Sequence, residues 1–441
     1  MSLFIQKVPD ESEKIKWGPQ REGVSTLFIL FIAFFARLIF YLVVKMQHPT
    51  IWSAHEIHIN GWLDIAQNWV SGGGYSEKSL LTYFPTDHLQ PTAARGPVPV
   101  LVLAVMLLIF KGNYFYPLFL CSWLLSSLSA VMLYGLARKI FKSGKMALGA
   151  AFLYCFYLPE MFISTAYAAA SESLFTFLLL GYFLAVIRST ETEKISPAFA
   201  AGGLLGLACL CRPVVLYLPL LYAAWLVKAG SSRRILKLAA FLAAFFLCLA
   251  PWAIRNQRVF HKPILTTTLG GYNLLRHNAV IRDNEFKILT SEQFDPIARQ
   301  AVAKAGYDFN RLNEAQLDAI FKREALEIIR TYPWRYLKLC FKRAGWLWYK
   351  INVEGPPYRN QNLMIYFFMF PGIILALIRR EFLLSMLAFH FFYFILFHAA
   401  MNAQFRFICP MMPCGILMAV YAFCDVLKIG KQAVFRYNLK P

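Results

Sequence analysis

The residues of this chain that could do chemistry are few, and they are placed where such residues are expensive. Glu160, Glu172, Arg212, Arg255 and Arg406 stand isolated beside or within long apolar runs. An ionisable side chain there costs roughly 3 kcal/mol by insertion scales, so it usually faces a cavity and carries function. Glu56, His58 and Asp64 follow the first apolar run, Arg95 lies two residues before Pro97, and Asn256 and Asn273 come later. Brought to one place, these types would make a site for an anionic headgroup together with a base. Arginines clamp a phosphate, and a carboxylate takes a proton from an acceptor hydroxyl. Each residue also has a simpler reading. Glu172 opens the run Ser171-Glu172-Ser173-Leu174-Phe175, where the helix dipole alone favours an acid. Arg212, Arg255 and Arg406 can snorkel to an interface, and Glu56 and His58 can be solvated loop residues. Arg37 is expected to pair within the bundle or bond a carbonyl, and His390 and His398 to pack. The convergence of the set carries the argument.

Convergence depends on the elements that hold these residues. With 58% hydrophobic, 16% aromatic and 16% charged residues in 441, and a mean hydropathy of +0.49, the chain is expected to be an all-α polytopic membrane protein. The formal charge of +21 comes as short Lys/Arg clusters between apolar runs, which marks retained cytoplasmic loops and no nucleic-acid face. Nine cysteines show no CxxC pairing, so neither a zinc site nor a disulfide framework is read. No tight DxD or outward His cluster assigns a metal, and a role for a divalent cation stays open.

Apolar runs at 25–46, 116–137, 145–160, 170–187, 197–212, 214–228, 234–252, 363–378, 381–400 and 408–427 give about ten candidate spans. Basic clusters at Lys14–Arg21, Arg138–Lys145, Lys228–Arg234, Arg379–Arg380 and Lys428–Lys431 then share one side, the cytoplasmic one. That puts 47–115, Pro159–Ser171, Arg212, 253–362 and Met401–Phe407 on the outer face. Residues 97–110 are too short for a span and are read as dipping into the outer leaflet. The chain divides into a cytoplasmic N-terminus (1–24) and a transmembrane module (25–252) whose first run is a retained signal anchor. An outer-face segment (253–362), C-terminal helices (363–427) and a cytoplasmic tail (428–441) follow. Amphipathic helices are expected near 62–69, 291–305 and 313–330, with an aromatic, basic interfacial stretch at 333–350.

Several local patterns occur in a recognisable order. They include Trp62-Leu63-Asp64-Ile65-Ala66-Gln67-Asn68-Trp69 before Gly72-Gly73-Gly74-Tyr75, Arg95-Gly96-Pro97, and Ser171-Glu172-Ser173. Cys211-Arg212-Pro213, Pro251-Trp252-Ala253-Ile254-Arg255-Asn256, Gly270-Gly271-Tyr272-Asn273 and Phe405-Arg406-Phe407 follow. Over about 25–425 the chain resembles the bacterial branch of the GT-C membrane glycosyltransferases, the dolichyl-phosphate-mannose-protein mannosyltransferase-like and aminoarabinose-transferase-like enzymes. The resemblance implies a GT-C bundle in a bacterial inner membrane, a polyprenyl-phosphate-linked sugar as donor, and inverting transfer to a glycan, lipid or protein acceptor at the outer face. It implies donor-phosphate contacts at Arg95, Arg212, Arg255 and Arg406, substrate contacts at Glu160, Asn256 and Asn273, and a second acid at Glu172. The family's general base is an acid in the first outer loop, but the corresponding position here is His58. Glu56 upstream, His58 itself, or altered catalysis are the alternatives, with Asp64 just downstream and Glu56 favoured as a carboxylate. Two readings from other classes use the same arginines: a transporter or flippase for lipid-linked sugars, and a non-catalytic glycolipid-binding partner.

Overall fold

A computed structural model describes residues 19–47, 61–111, 114–166, 171–349 and 358–437. The chain is almost wholly helical, as its apolar runs require: a backbone in lipid must satisfy its own hydrogen bonds. Helix α1 (Pro19–Gln47) is followed by the short amphipathic α2 (Trp62–Val70), a hairpin of β1 (Ser76–Leu80) and β2 (Phe84–Pro91), and α3 (Pro97–Phe110). The bundle continues with α4 (Phe115–Phe141), α5 (Gly144–Cys155), α6 (Leu158–Ala166), α7 (Glu172–Glu191), α8 (Ser196–Cys211), α9 (Leu218–Lys228) and α10 (Arg234–Phe260). Next come α11 (Gly270–Asn278), α12 (Ser291–Lys304), α13 (Glu314–Thr331) and α14 (Pro333–Tyr349). The last helices are α15 (Tyr358–Ile378), α16 (Phe382–Ala400), the single turn α17 (Phe405–Ile408) and α18 (Met412–Tyr437).

Each expected span falls on a helix, though not each is long enough to cross alone. Among the described residues six helices are long and apolar enough to cross a membrane, and the pair α5 and α6, bent by 47°, makes a seventh if taken as one span. The others are shorter apolar helices, and α8 and α9 are separated where Pro213, after Arg212, removes a backbone donor. The hairpin is a further departure from an all-helical reading. It is antiparallel, pairs Ser76 with Pro91 and Leu80 with Phe84, and changes register between Glu77 and Ser79. Helix α10 runs past the expected end at 252, through Pro251, and so lifts Arg255 and Asn256 out of the bundle.

Two hydrophobic cores result. One fills the bundle and includes Phe119, Tyr154, Phe183 and Leu387. The other joins the hairpin residues Leu81 and Phe84 to Tyr272, Phe294, Leu317 and Phe321 of α11 to α13. The amphipathic helices of 253–362 therefore pack on one another as a cap. Within the bundle, α8 lies against α10 so closely that a Cβ at Gly202 would run into the Phe241 carbonyl.

Charges buried in the bundle find most of their partners internally. Arg37 donates through Nε to Ser126 Oγ (2.9 Å) and through its terminal nitrogen to the Ala33 carbonyl (2.8 Å). Ser126 in turn donates to Glu160 Oε1 at 2.7 Å, so Glu160 sits in a bundle network and not at a substrate surface. Breaking a buried ionic network by removing one partner costs about 3–5 kcal/mol, whereas removing both is far milder. Arg37→Met is therefore expected to lower the unfolding midpoint in detergent sharply, and Arg37→Met with Glu160→Gln to recover most of the loss.

Candidate functional site

A cavity of about 270 Å³ opens where the cap meets the bundle. Four arginines line it: Arg95 before α3, Arg212 after α8, Arg276 on α11, and Arg406 on α17. Their convergence follows from local sequence. Gly96 permits the turn into α3, because a Cβ there would overlap the Leu210 carbonyl at the end of α8. The same contact sets Arg95 beside Arg212. Pro213 ends the α8 ladder and leaves Arg212 extended (φ −145°, ψ 122°) at the cavity wall.

On the bundle side, Arg212 pairs with Glu172 and donates to Ser171 Oγ at 2.8 Å. Arg406 approaches the same carboxylate oxygen at 3.9 Å and donates to Gln404 at 3.1 Å. Glu172 is 1% exposed and does not line the cavity. It is the shared counter-ion behind two guanidiniums, a position that a helix N-terminus also favours. His398 stacks on Phe407 with centroids 5.0 Å apart, and both face the cavity.

On the cap side, Arg95 lies 4.7 Å over the Trp62 ring and reaches the Tyr83 hydroxyl at 3.4 Å. Its Nε is buried and has no hydrogen-bond partner among the described residues. Tyr83 stacks flat on Tyr272 at 4.6 Å. Arg276 is fixed by the Leu289 carbonyl, at 2.9 and 2.7 Å, and by the Tyr272 hydroxyl at 3.1 Å. Tyr83 is presented by Leu81 and Thr82, both in left-handed conformation, which costs roughly 1–2 kcal/mol per non-glycine residue. Burial of Leu81 and the Thr82–Glu77 hydrogen bond (3.0 Å) hold that turn. Burial raises the Tyr83 phenol, but Arg95, Arg276 and Arg406 outweigh it and bring it below the usual tyrosine value. Burial, with Arg343 and Arg276 adding to it, keeps His277 neutral.

The expected residues thus divide. Arg95, Arg212, Arg406 and Asn273 line one cavity, with Glu172 directly behind. Arg255 does not join them: it donates to the carbonyls of Thr92 (2.7 Å) and Tyr75 (2.9 Å) and to Asn256 (2.9 Å). Asn256 is spent on the Ile264 carbonyl at 2.9 Å, and Glu160 on Ser126. Asp64 lines a separate polar depression with Gln67, Asn68, Glu77 and Lys78. Glu56 and His58 lie outside the described residues. Trp62, Tyr83, Arg276, His277 and His398 line the cavity without having been singled out as site residues. A usable signal existed for Arg276, which follows Asn273 by three residues on one helix face. The described donor set does not suit a divalent cation. No group of three or more His, Cys, Asp or Glu comes together among the described residues, and Glu172 already has two cationic partners.

Residues 94–254 match the family model described as dolichyl-phosphate-mannose-protein mannosyltransferase. The fold is that of the archaeal oligosaccharyltransferase AglB from Archaeoglobus fulgidus, solved with an inhibitory peptide and a dolichol-phosphate. The TM-score is 0.55 at 17% identity, over 93% of this chain and 51% of that one. The A. fulgidus oligosaccharyltransferase tethered to an acceptor peptide containing the NVT sequon gives 0.53 at 18% identity, over 91% and 50%. This chain therefore spans about half the length of those structures. ArnT from Cupriavidus metallidurans, bound to undecaprenyl phosphate, gives 0.36 at 13% identity over 92% and 78%. No curated protein matches. The GT-C resemblance read from the motifs holds at the level of the fold, and the family match contains Arg95, Glu172 and Arg212.

The depressed Tyr83 phenol can be tested directly. Phenolate difference absorbance is expected to show one tyrosine ionising below the ordinary range, and Tyr83→Phe to remove that component.

Proposed function

We propose that this chain is an inverting glycosyltransferase that moves a sugar from a polyprenyl-phosphate donor to an acceptor hydroxyl, amine or phosphate at the outer face of a bacterial inner membrane. One observation carries the reading: guanidiniums from four separate elements meet in a single cavity at the edge of an apolar bundle, and one of them keeps an unpartnered buried nitrogen. Preorganised cations in a water-poor site stabilise the charge that develops on a leaving phosphate. The donor's phosphate rests against Arg95, Arg212, Arg276 and Arg406, with Asn273 near the sugar. The acceptor oxygen bonds the anomeric carbon as the bond to the phosphate oxygen breaks, in one displacement that inverts the centre.

The acceptor's proton needs a base. Among the described residues lining the cavity none is a carboxylate, because Glu172 is held behind two arginines. That directs the role to the first outer loop, to Glu56 or His58. Glu172 then acts through the arginines it orients. The acceptor is a glycan, lipid or protein met at the membrane surface, and no nucleic acid takes part.

A transporter would need polar groups leading through the bundle. Here Arg37 and Glu160 bond one another through Ser126, and Lys237 is satisfied by the Ser189 and Thr192 carbonyls and Ser231. Membranes carrying the protein, given radiolabelled polyprenyl-phosphate sugars and candidate acceptors, are expected to move label off the lipid. Arg95→Gln should slow that transfer about 10²-fold, the usual effect of removing one such donor, and either Glu56→Gln or His58→Gln should abolish it. Label that stays on the lipid across the donor panel would overturn the enzyme reading in favour of a transporter or binding partner.

A further inference from the structure

The four residues that deliver Arg95 to the cavity, Thr92 to Arg95, are held by four other segments of the chain. Thr92 N–H donates to the Tyr75 carbonyl at 3.1 Å, and the Thr92 carbonyl accepts from Arg255 at 2.7 Å. The Ala93 carbonyl accepts from Thr268 N–H at 3.1 Å, and the Ala93 N–H donates to Glu314 Oε1. Ala94 N–H donates to Thr92 Oγ1 at 3.0 Å, and the Arg95 carbonyl accepts from the Tyr75 hydroxyl at 2.9 Å.

One feature of this arrangement cannot be satisfied by ordinary ionisation. Thr92 Oγ1 lies 3.0 Å from Glu77 Oε1 and 2.9 Å from Glu314 Oε2, and it carries a single proton. Both carboxyl groups are buried, 3% and 1% exposed. If both were ionised, one would face the buried hydroxyl lone pair to lone pair, at a cost comparable to an unpaired buried polar group. One added proton completes the chain: a carboxyl O–H donates to Thr92 Oγ1, and Thr92 O–H donates to the other carboxylate.

We propose that Glu314 carries this proton and that, in its protonated form, it is a positioning residue for Arg95, latching the cap's α13 onto the loop that feeds the cavity. Burial raises Glu77 as well, but Glu77 is the ionised partner, because the charge of Arg95 and the hydrogen bond it accepts from Thr82 at 3.0 Å oppose that rise. The remaining acceptor of Glu314, Oε1, meets only the neutral donors Ala93 N–H and Thr268 Oγ1 (2.9 Å). The charged and titratable groups around Glu314 are Glu77 on β1, Tyr75 before it, Arg255 on α10 and, one turn along its own helix, Asp318. The guanidinium of Arg255 is already committed to the Thr92 and Tyr75 carbonyls and to Asn256. Asp318 is turned to the Gly271 and Tyr272 N–H groups, at 2.5 and 3.2 Å. Burial, opposed by the Ala93, Thr268 and Thr92 hydrogen bonds, pushes the Glu314 carboxyl up to about 7.

The sign of the effect follows. An acid whose folded value is raised contributes stability that is fully present below its unfolded value, near 4.5, and lost as pH rises through about 7. Above that, two anions share one hydroxyl and the hold on Thr92 to Arg95 weakens. The consequence for donor binding rests on the function proposed above; the latch itself does not.

The test uses the full chain in detergent, with two readouts between about pH 5 and pH 8.5: thermal unfolding without ligand, and binding of undecaprenyl phosphate. Glu314→Gln imitates the protonated acid, its amide N–H donating to Thr92. Glu77→Gln removes the need for the extra proton. Wild type is expected to lose unfolding temperature up to about pH 7 and then level, and to bind the lipid several-fold more weakly at the alkaline end. Burial also raises Asp318, to about 6, and its share of the fall is common to all three proteins, so both variants should show a smaller acid-linked fall than wild type and keep the lipid affinity of wild type at low pH. If both variants follow the wild-type profile, or if Glu314→Gln already binds several-fold worse at low pH, the latch is wrong. If the unfolding profiles behave as described while wild type binds no undecaprenyl phosphate at any pH, the latch stands and the donor reading falls.

Discussion

A guanidinium cannot lose its water without receiving something in return, and the structure is organised around how that requirement is met at six arginines. Arg255 and Arg343 are satisfied largely by carbonyl oxygens of other segments, and Arg37 by the Ser126 hydroxyl and the Ala33 and Cys155 carbonyls. Each ties elements together and has little capacity left for a ligand. Arg212 and Arg406 share the single carboxylate of Glu172, which leaves cation in excess at the cavity wall. Arg95 is met by aromatic faces and one phenol, with its Nε unclaimed. The same side chain is therefore structural where oxygens surround it, and a candidate for binding where rings and a shared anion do.

That division depends on the cap as much as on the bundle. Arg343 on α14 bonds the Asn278 side chain and the carbonyls of His277, Ala399 and Ala400, so it pins α11 to the end of α16. Burial brings its guanidinium down to about 10. Asp318 caps the start of α11. Together they fix the helix that carries Asn273 and Arg276 above the helices that carry Arg212 and Arg406, so the cavity is closed by two separately packed cores.

Much of this was legible in the residues. Helix positions followed from apolar runs, and Arg212, Arg95 and Arg406 stood out by lying one, two and four residues before a proline, Pro213, Pro97 and Pro410, at the ends of such runs. Arg255 looked equivalent but is not, because α10 continues for two turns beyond the apolar stretch and spends that guanidinium on the hairpin. Glu160 and Asn256 also bond internally: isolated polarity identifies a residue that needs partners, and only the fold shows whether those partners are internal. Tyr83 could not be read at all, and Trp62 only as part of an amphipathic helix and a family pattern. Their roles come from a hairpin with two left-handed residues and from stacking across distant segments, neither of which leaves a periodic trace.

Helix α3 begins one residue after Gly96 and runs for only 14 residues, about 21 Å at 1.5 Å per residue. Its outer face, with Leu101, Val105, Leu108 and Ile109, is exposed and apolar. Such a helix is about two thirds as long as a hydrocarbon layer of about 30 Å is thick. Within a few residues the chain thus changes from the wall of a cationic cavity at Arg95 to a surface suited to hydrocarbon.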